Sequence, residues 1–423
     1  MSFFLFIEHR DKFTLLPFPP DSKMKGMGKE ILEKASYCLS CPLPRCEIAC
    51  PTKNHIRDFI AAVKKQEMAE AAKVLYQTNP FPEFTSLLCD HGRQCQGACI
   101  RGLRGEPVSI PQIEKAISEA YPRPYVAGKP NGKKAALIGA GIANLSCAFF
   151  LLEKGWKIDI YEKESSIGGA IRTGIPGFRF DKTPLEKVYK DLIALGAVFH
   201  FDSEIKDLVP LVSSYDAVIL SLGASKENFA GISPENGCMG ALNFLKDYNE
   251  GHLQEETHQA IVWGGGNVAM DAARTAKRIY GNATVLYRRG REQMPANPCE
   301  IEEAEKEGVA FRLLENIVAP VCENGNLVGV NAVHMELGEP DASGRASFHV
   351  IEGSDHFISC DRLIFAIGEK PDFSLFPSLT LGEGWATSLP KVYACGDFRY
   401  GAANIAKAIT DGRELALLLS NEE

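Results

Sequence analysis

The chain has 423 residues, 45% of them apolar, and a formal net charge of -8. That length predicts two or three domains at about 150 residues each, with apolar material enough for sizeable cores. The acidic balance excludes a nucleic-acid partner, whose phosphates need a basic face. Thirteen cysteines raise a disulfide framework, but seven fall in the first hundred residues. No signal peptide precedes them, because the apolar start Met1–Ile7 is too short and lacks a basic lead. The expectation is a cytoplasmic, reducing compartment with metal-bound thiolates.

Residues up to about Ser36 read as an arm ending in a short helix, Lys29–Ala35. Cys38, Cys41, Cys46 and Cys50 follow as C-x2-C-x4-C-x3-C, with Pro51 next. Bacterial ferredoxins hold cubanes with a similar run, whose fourth cysteine serves the neighbouring cluster. Cys89, Cys95 and Cys99 form a second set. Seven thiols complete one four-cysteine site and leave three for another, so an eighth ligand must be something else. Two [4Fe–4S] clusters, structural zinc and unliganded thiols all remain open on spacing alone.

Ile56, Phe59, Ile60 and Val63 recur with helical spacing. A second helix covers Met68–Tyr76, and a third runs from Pro111 to Ala120. This small helical domain is expected to bury little apolar surface and to lean on metal for stability. Glu114, on its last helix, is the candidate eighth ligand, against the plainer reading of a solvated carboxylate. A proline- and glycine-rich linker spans Pro122–Gly132.

The periodicity then changes. The uncharged run Ala135–Leu152 has the length of a membrane span. Its glycines argue instead for a strand, Lys134–Ile138, the turn Gly139-Ala140-Gly141, a helix from Leu145, and a second strand ending at Glu162. This is a dinucleotide unit, in which glycines admit the pyrophosphate and an acid at the second strand's end accepts from a ribose. The third glycine position holds Asn144 and predicts a small local shift. The unit recurs at Gly264-Gly265-Gly266-Asn267-Val268-Ala269, with Arg288 and Arg289 where the first unit has Glu162 and Lys163. An acid suits FAD or NAD; an arginine pair suits the 2′-phosphate of NADP(H). Strands ending at Gly223, at Ala366–Gly368 and at Gly396–Asp397 add further turns. The last two are read as completing the first domain. The expected domains are 1–125 helical, 132–255 and 354–423 FAD-binding, and 256–353 NAD(P)H-binding and inserted.

These motifs, with Gly168-Gly169, Gly174–Arg179, Glu292–Ala296 and Ala408–Arg413, resemble the glutamate synthase small subunit. The cysteine pattern is equally similar to the N-terminal half of dihydropyrimidine dehydrogenase. The resemblance implies an α+β multidomain fold: a helical bis-[4Fe–4S] domain and two Rossmann-like domains, the second inserted in the first. It implies one cluster on Cys38, Cys41, Cys46 and Cys99, and another on Cys50, Cys89 and Cys95 with Glu114. It implies FAD against Gly139, Ala140, Gly141, Glu162, Lys163, Gly169, Arg179, Gly223, Gly396 and Asp397. NADP(H) falls against Gly264, Gly266, Asn267, Val268, Arg288, Arg289, Ala366 and Gly368. Electrons would pass from NADPH through FAD and the clusters to a larger catalytic partner subunit, in a homo- or hetero-oligomer without membrane contact. A partner is expected because only eleven residues follow Gly412, too few for a substrate domain.

Three rivals are weighed. The small subunit of a dihydropyrimidine dehydrogenase shares the cysteine pattern. A thiol–disulfide reductase needs a close cysteine pair, which Cys147, Cys238, Cys299, Cys322, Cys360 and Cys395 do not make in sequence. A zinc-stapled nucleotide-binding regulatory protein would carry zinc and no flavin chemistry.

Overall fold

The computed structural model describes residues 29–340 and 346–421; the expected arm lies outside them except for its last helix, Lys29–Ser36. Helices Ile56–Lys64, Met68–Tyr76, Pro82–Leu88 and Ile110–Ala120 build the first domain. Their apolar faces meet in a core of Phe59, Ile60, Val63, Met68, Leu75, Ile113 and Ile117, each at most 1% exposed. The expectation of a domain with little apolar surface is therefore corrected. Each helix is short, but the faces of Ile56–Lys64, Met68–Tyr76 and Ile110–Ala120 converge.

The first nucleotide domain is a five-stranded parallel sheet in the order Val392–Ala394, Ala217–Leu220, Lys134–Ile138, Lys157–Tyr161, Val198–His200. The second repeats it with Cys238–Gly240, Arg362–Phe365, His258–Trp263, Gly281–Tyr287, Ala310–Leu313. Between Ala310–Leu313 and Arg362–Phe365 the chain makes an antiparallel meander of Glu315–Glu323, Asn326–Pro340, Ala346–Val350 and His356–Ser359. It enters the second domain through Lys226–Glu227 and returns through Glu369–Lys370, and these two segments pair antiparallel. The second domain is thus inserted in the first, but its sheet reaches beyond 256–353. Arg362–Phe365, expected in the first sheet, pairs with His258–Trp263, and Cys238–Gly240 lies on its other side. A buried parallel strand is an apolar run ending in glycine in either sheet, so the run itself carries no address.

Asn144 needs no shift of helix from strand. Its side chain is fully buried, and Nδ2 donates to the carbonyls of Ile138 at 3.0 Å and Gly139 at 2.8 Å. The amide thus occupies the close-packing position and ties the glycine turn to the strand before it. The Pro122–Gly132 segment is likewise no free linker. Tyr125 packs on Phe149 and Phe150 and donates its hydroxyl to Tyr76 O at 2.6 Å. Arg123 is buried between Glu83 and Asp191, joining the helical and first nucleotide domains.

The last helix, Ile405–Asn421, packs along the first dinucleotide helix, Ile142–Glu153, so closely that a Cβ on Gly412 would lie 1.9 Å from Ala143 O. From the same helix Arg413 donates to the carbonyls of Thr52, at 2.9 Å, and Thr78. Thr410 donates to Pro51 O at 2.7 Å.

Two outcomes follow from this packing. Asn144→Gly, which completes the glycine motif, should destabilise by about 1–3 kcal/mol through lost hydrogen bonds and added backbone freedom. A melting temperature at or above that of the parent would reject the bridging role. Arg413→Met should cost about 2–4 kcal/mol, since it strands buried carbonyls. It should also speed iron loss to a chelator, and an unchanged rate of loss would show that the clasp does not hold the cysteine turns.

Candidate functional site

Parallel strands finish at one edge of each sheet, so the turns that follow them gather there. At the first sheet these turns carry Gly139–Gly141, Glu162 and Lys163, Gly223, and Gly396 with Asp397. Gly139 has φ 93° and sits so close to the neighbouring strand that a Cβ would lie 2.5 Å from Ser221 O. Gly141 opens onto free space, with Gly169 against its Cα, and begins the helix Ile142–Glu153 without a side-chain cap. The helix's first N–H groups are left for an anion. Glu162 is buried and accepts from Ala140 N at 2.6 Å and from Glu164 N at 3.0 Å. Burial raises the Asp397 carboxyl, against a hydrogen bond from the Ala403 amide.

The second sheet repeats the device. Gly264 has φ 152°, and a Cβ there would lie 2.1 Å from Ala366 O. Gly266 begins the helix Asn267–Tyr280, again without a side-chain cap. Val268 is half-buried in its first turn. Gly368 is exposed just past the strand end at Phe365. Arg288 and Arg289 follow Gly281–Tyr287, and both guanidiniums lie over the Phe348 ring, at 4.4 and 4.7 Å. Arg289 is buried and donates from Nε to Ala346 O at 2.9 Å, while Arg288 is exposed. Asn267 accepts from Asn297 N at 2.8 Å, which draws the 290–297 loop across the turn.

The seven cysteines fall into two groups. Cys38, Cys41, Cys46 and Cys99 line one cavity. Ser40, between the first two, takes a left-handed backbone, φ 51°, and its amide lies 3.4 Å from Cys38 Sγ. Burial pushes the Cys46 thiol up to about 11, with Glu47, Cys38 and Cys99 adding to it. Cys50, Cys89 and Cys95 surround Glu114 instead. Burial raises the Cys89 and Cys95 thiols, and the Glu114 carboxylate is the next cause at each. Glu114 is 4% exposed and accepts from Asn79 Nδ2 at 2.8 Å and from the Thr85 hydroxyl. Burial pushes it up to about 7 against those hydrogen bonds.

Three thiols, two of them buried, beside a buried carboxylate make a donor set suited to a cationic group. The sulfurs are also spread out. Among the described residues no three come within 4.8 Å of one another. Tetrahedral zinc would need them about 3.8 Å apart. The residues fit iron–sulfur groups better than a single zinc ion.

Some expected neighbours are not together. Arg179, expected against the flavin, bonds Asp271 at 2.5 Å and Glu300 at 2.8 Å, both on helices of the second domain. Its motif places it at the right turn, but two carboxylates across the domain boundary take up the guanidinium. Sequence reasoning also missed Arg93, between Cys89 and Cys95. It donates to Pro295 O at 2.8 Å and to Ala296 O at 3.2 Å, in the loop that crosses the second glycine turn. No local pattern marks it, because its partners lie two hundred residues away.

Comparison with known proteins matches this layout. Residues 21–123 match the family described as dihydropyrimidine dehydrogenase domain II, 4Fe-4S cluster. Residues 133–412 match the pyridine nucleotide-disulphide oxidoreductase family. The chain is 33% identical to the glutamate synthase [NADPH] small chain of Escherichia coli, over 90% of this chain and 89% of that one. It is 33% identical to the corresponding chain of Azospirillum brasilense, over 91% and 87%. Mycobacterium tuberculosis FprA in complex with NADPH has the same fold over 70% of this chain and 86% of its own, at 17% identity and a TM-score of 0.59. A helical domain of the 4Fe–4S type and two Rossmann-like domains binding FAD and NADP, joined in this order, make the chain a member of the glutamate synthase small-chain family of NAD(P)H-dependent oxidoreductases.

Proposed function

We propose that the chain is the electron-transfer subunit of an NADPH-oxidising enzyme and delivers electrons to a larger catalytic partner. In this reading Cys38, Cys41, Cys46 and Cys99 hold one [4Fe–4S] cluster, and Cys50, Cys89, Cys95 and Glu114 hold a second. When bound, the nicotinamide supplies hydride to the flavin, and the iron–sulfur groups carry the electrons onward singly. The chain's own residues bind and align. The uncapped helix starts at Gly141 and Gly266 receive the two pyrophosphates. Glu162 accepts from the ribose of FAD, and Arg288 and Arg289 bracket the 2′-phosphate.

The observation that carries this reading is the clamping of the Glu114 group between both nucleotide domains. Arg93 fixes the Cys89–Cys95 loop to the second domain's turn, and Arg413 fixes the Pro51–Thr52 turn to the first domain's last helix. The other cysteine group faces outward. Around its cavity Leu39 is 55% and Leu43 79% exposed, and Leu103 nearby is 68% exposed. A cluster of large exposed apolar side chains beside a redox site suits a partner that covers it. That partner houses the final acceptor.

Arg288→Ala should lower kcat/KM for NADPH by about 10–100-fold, the loss of a charge-assisted contact. NADH turnover should hardly change; an equal loss with both nucleotides would remove the arginine pair from the 2′-phosphate site. After anaerobic purification the chain should carry roughly eight iron atoms. NADPH should bleach both the flavin and the broad brown absorption, with physiological turnover appearing only once the co-purifying subunit is added. Zinc in place of iron would end the relay reading. Full-rate turnover by this chain alone would end the partner reading.

A further inference from the structure

The meander of the second domain carries a side-chain cluster that the electron relay does not use. Glu315 and His334 are cross-strand partners, and Ala332, two residues from His334, pairs with His356. Side chains two apart share a face, so both imidazoles stand over the same patch. Their rings stack with centroids 4.4 Å apart and planes at 20°. The Glu315 carboxylate lies beneath them, its side chain 9% exposed, and divides its oxygens between the rings. Oε1 is 3.9 Å from His334 Nδ1, and Oε2 is 3.3 Å from His356 Nε2. Arg312 Nε also donates to Oε2, at 2.8 Å.

The contact that decides the chemistry is on the far side of His356. Its Nδ1 lies 2.9 Å from the carbonyl of Ser354, which can only accept. Nδ1 therefore carries the ring proton, and in the neutral imidazole Nε2 turns a lone pair toward a carboxylate oxygen. Acceptor facing acceptor in a half-buried pocket is unfavourable unless a proton or a metal ion lies between them. Metal-bound histidines are typically held this way, with the remote N–H on a backbone carbonyl. Two imidazoles and one carboxylate within 4.8 Å of one another form a three-ligand set. Ligand atoms around tetrahedral zinc sit about 3.3 Å apart, against 3.3 and 3.9 Å between the carboxylate oxygens and the two rings here.

We propose that Glu315, His334 and His356 bind a divalent transition-metal ion of the zinc type, with a fourth position open to water. His334 is half exposed, at 52%, which gives the ion a way in. Arg312 Nε takes one lone pair of Oε2 at 2.8 Å, and the carboxylate keeps Oε1 and the other Oε2 lone pair for the ion. The ion would staple three strands of the meander at one point. Leu314, next to Glu315, donates its amide to Arg289 O at 3.2 Å, so the staple adjoins the arginine pair of the nucleotide site.

The test is equilibrium dialysis of the iron-loaded protein against buffered Zn2+, read by metal analysis and by X-ray absorption at the zinc edge. The parent should retain about one zinc per chain, in a nitrogen and oxygen shell with imidazole scattering. His334→Ala alters a half-exposed side chain and should fold normally. It should weaken retention at least about tenfold and leave iron and flavin content unchanged. His356→Gln should do the same. No zinc retained, equal retention by both variants, or a sulfur shell around the zinc would each overturn the proposal. The first outcome would leave an imidazolium ion-paired to Glu315 in place of a metal.

Discussion

Two arginines hold this molecule's working parts in one frame. Arg93 reaches from the second cysteine loop to three consecutive carbonyls of the second nucleotide domain, those of Met294, Pro295 and Ala296. Arg413 reaches from the last helix of the first nucleotide domain to carbonyls before and after the helix pair Ile56–Lys64 and Met68–Tyr76. A guanidinium suits the task because its donors form a fixed fork and its charge stays on when buried. Carbonyls at these turns have no partner in a helix or strand, and each arginine takes up several of them at once. The cysteine turns are thereby positioned by the nucleotide domains as much as by their own helices.

The same economy appears in the two sheets. In each, the first glycine of the turn lies against the backbone of the neighbouring parallel strand, Ser221 for Gly139 and Ala366 for Gly264. Any side chain there would force the strands apart, so the turn and the strand order are one constraint. The repetition explains why the units could be laid on each other from sequence. It also explains the exception. Asn144 fills the third position of the first turn with an amide that donates to the carbonyls its neighbour leaves exposed. Ala269, the second unit's counterpart, is fully buried with no polar atom to place.

What could be read in advance was what repeats over short spans. The cysteine spacings, the two glycine turns and the helical periodicity of Ile56–Val63 each lie within one element, and the fold class followed from them. Strand membership was not legible, since Arg362–Phe365 is an apolar run that either sheet would accept. The helical domain's core was underestimated because Phe59, Leu75 and Ile113 sit on three short helices, none apolar enough alone to announce a core. Glu114 could be named as a candidate only through resemblance. Its burial comes from Asn79 and Thr85, which no spacing rule links to it.

Arg179 shows how such a non-local contact changes a residue's role. Its two ion pairs cross the boundary between nucleotide domains, and Asp271 is 4% exposed. Burial pushes that carboxyl up to about 7, with the Arg179 guanidinium opposing the rise. Desolvation thus consumes much of what the pair gains, and a buried pair of this kind adds little net stability. What it adds is geometry. Only one relative setting of the domains brings Asp271 and Glu300 both within reach of a single guanidinium. Any other setting leaves a buried charge unpaired, which costs several kcal/mol. The pair therefore acts on the angle between the domains, the quantity that decides whether the nucleotide in one faces the crevice of the other.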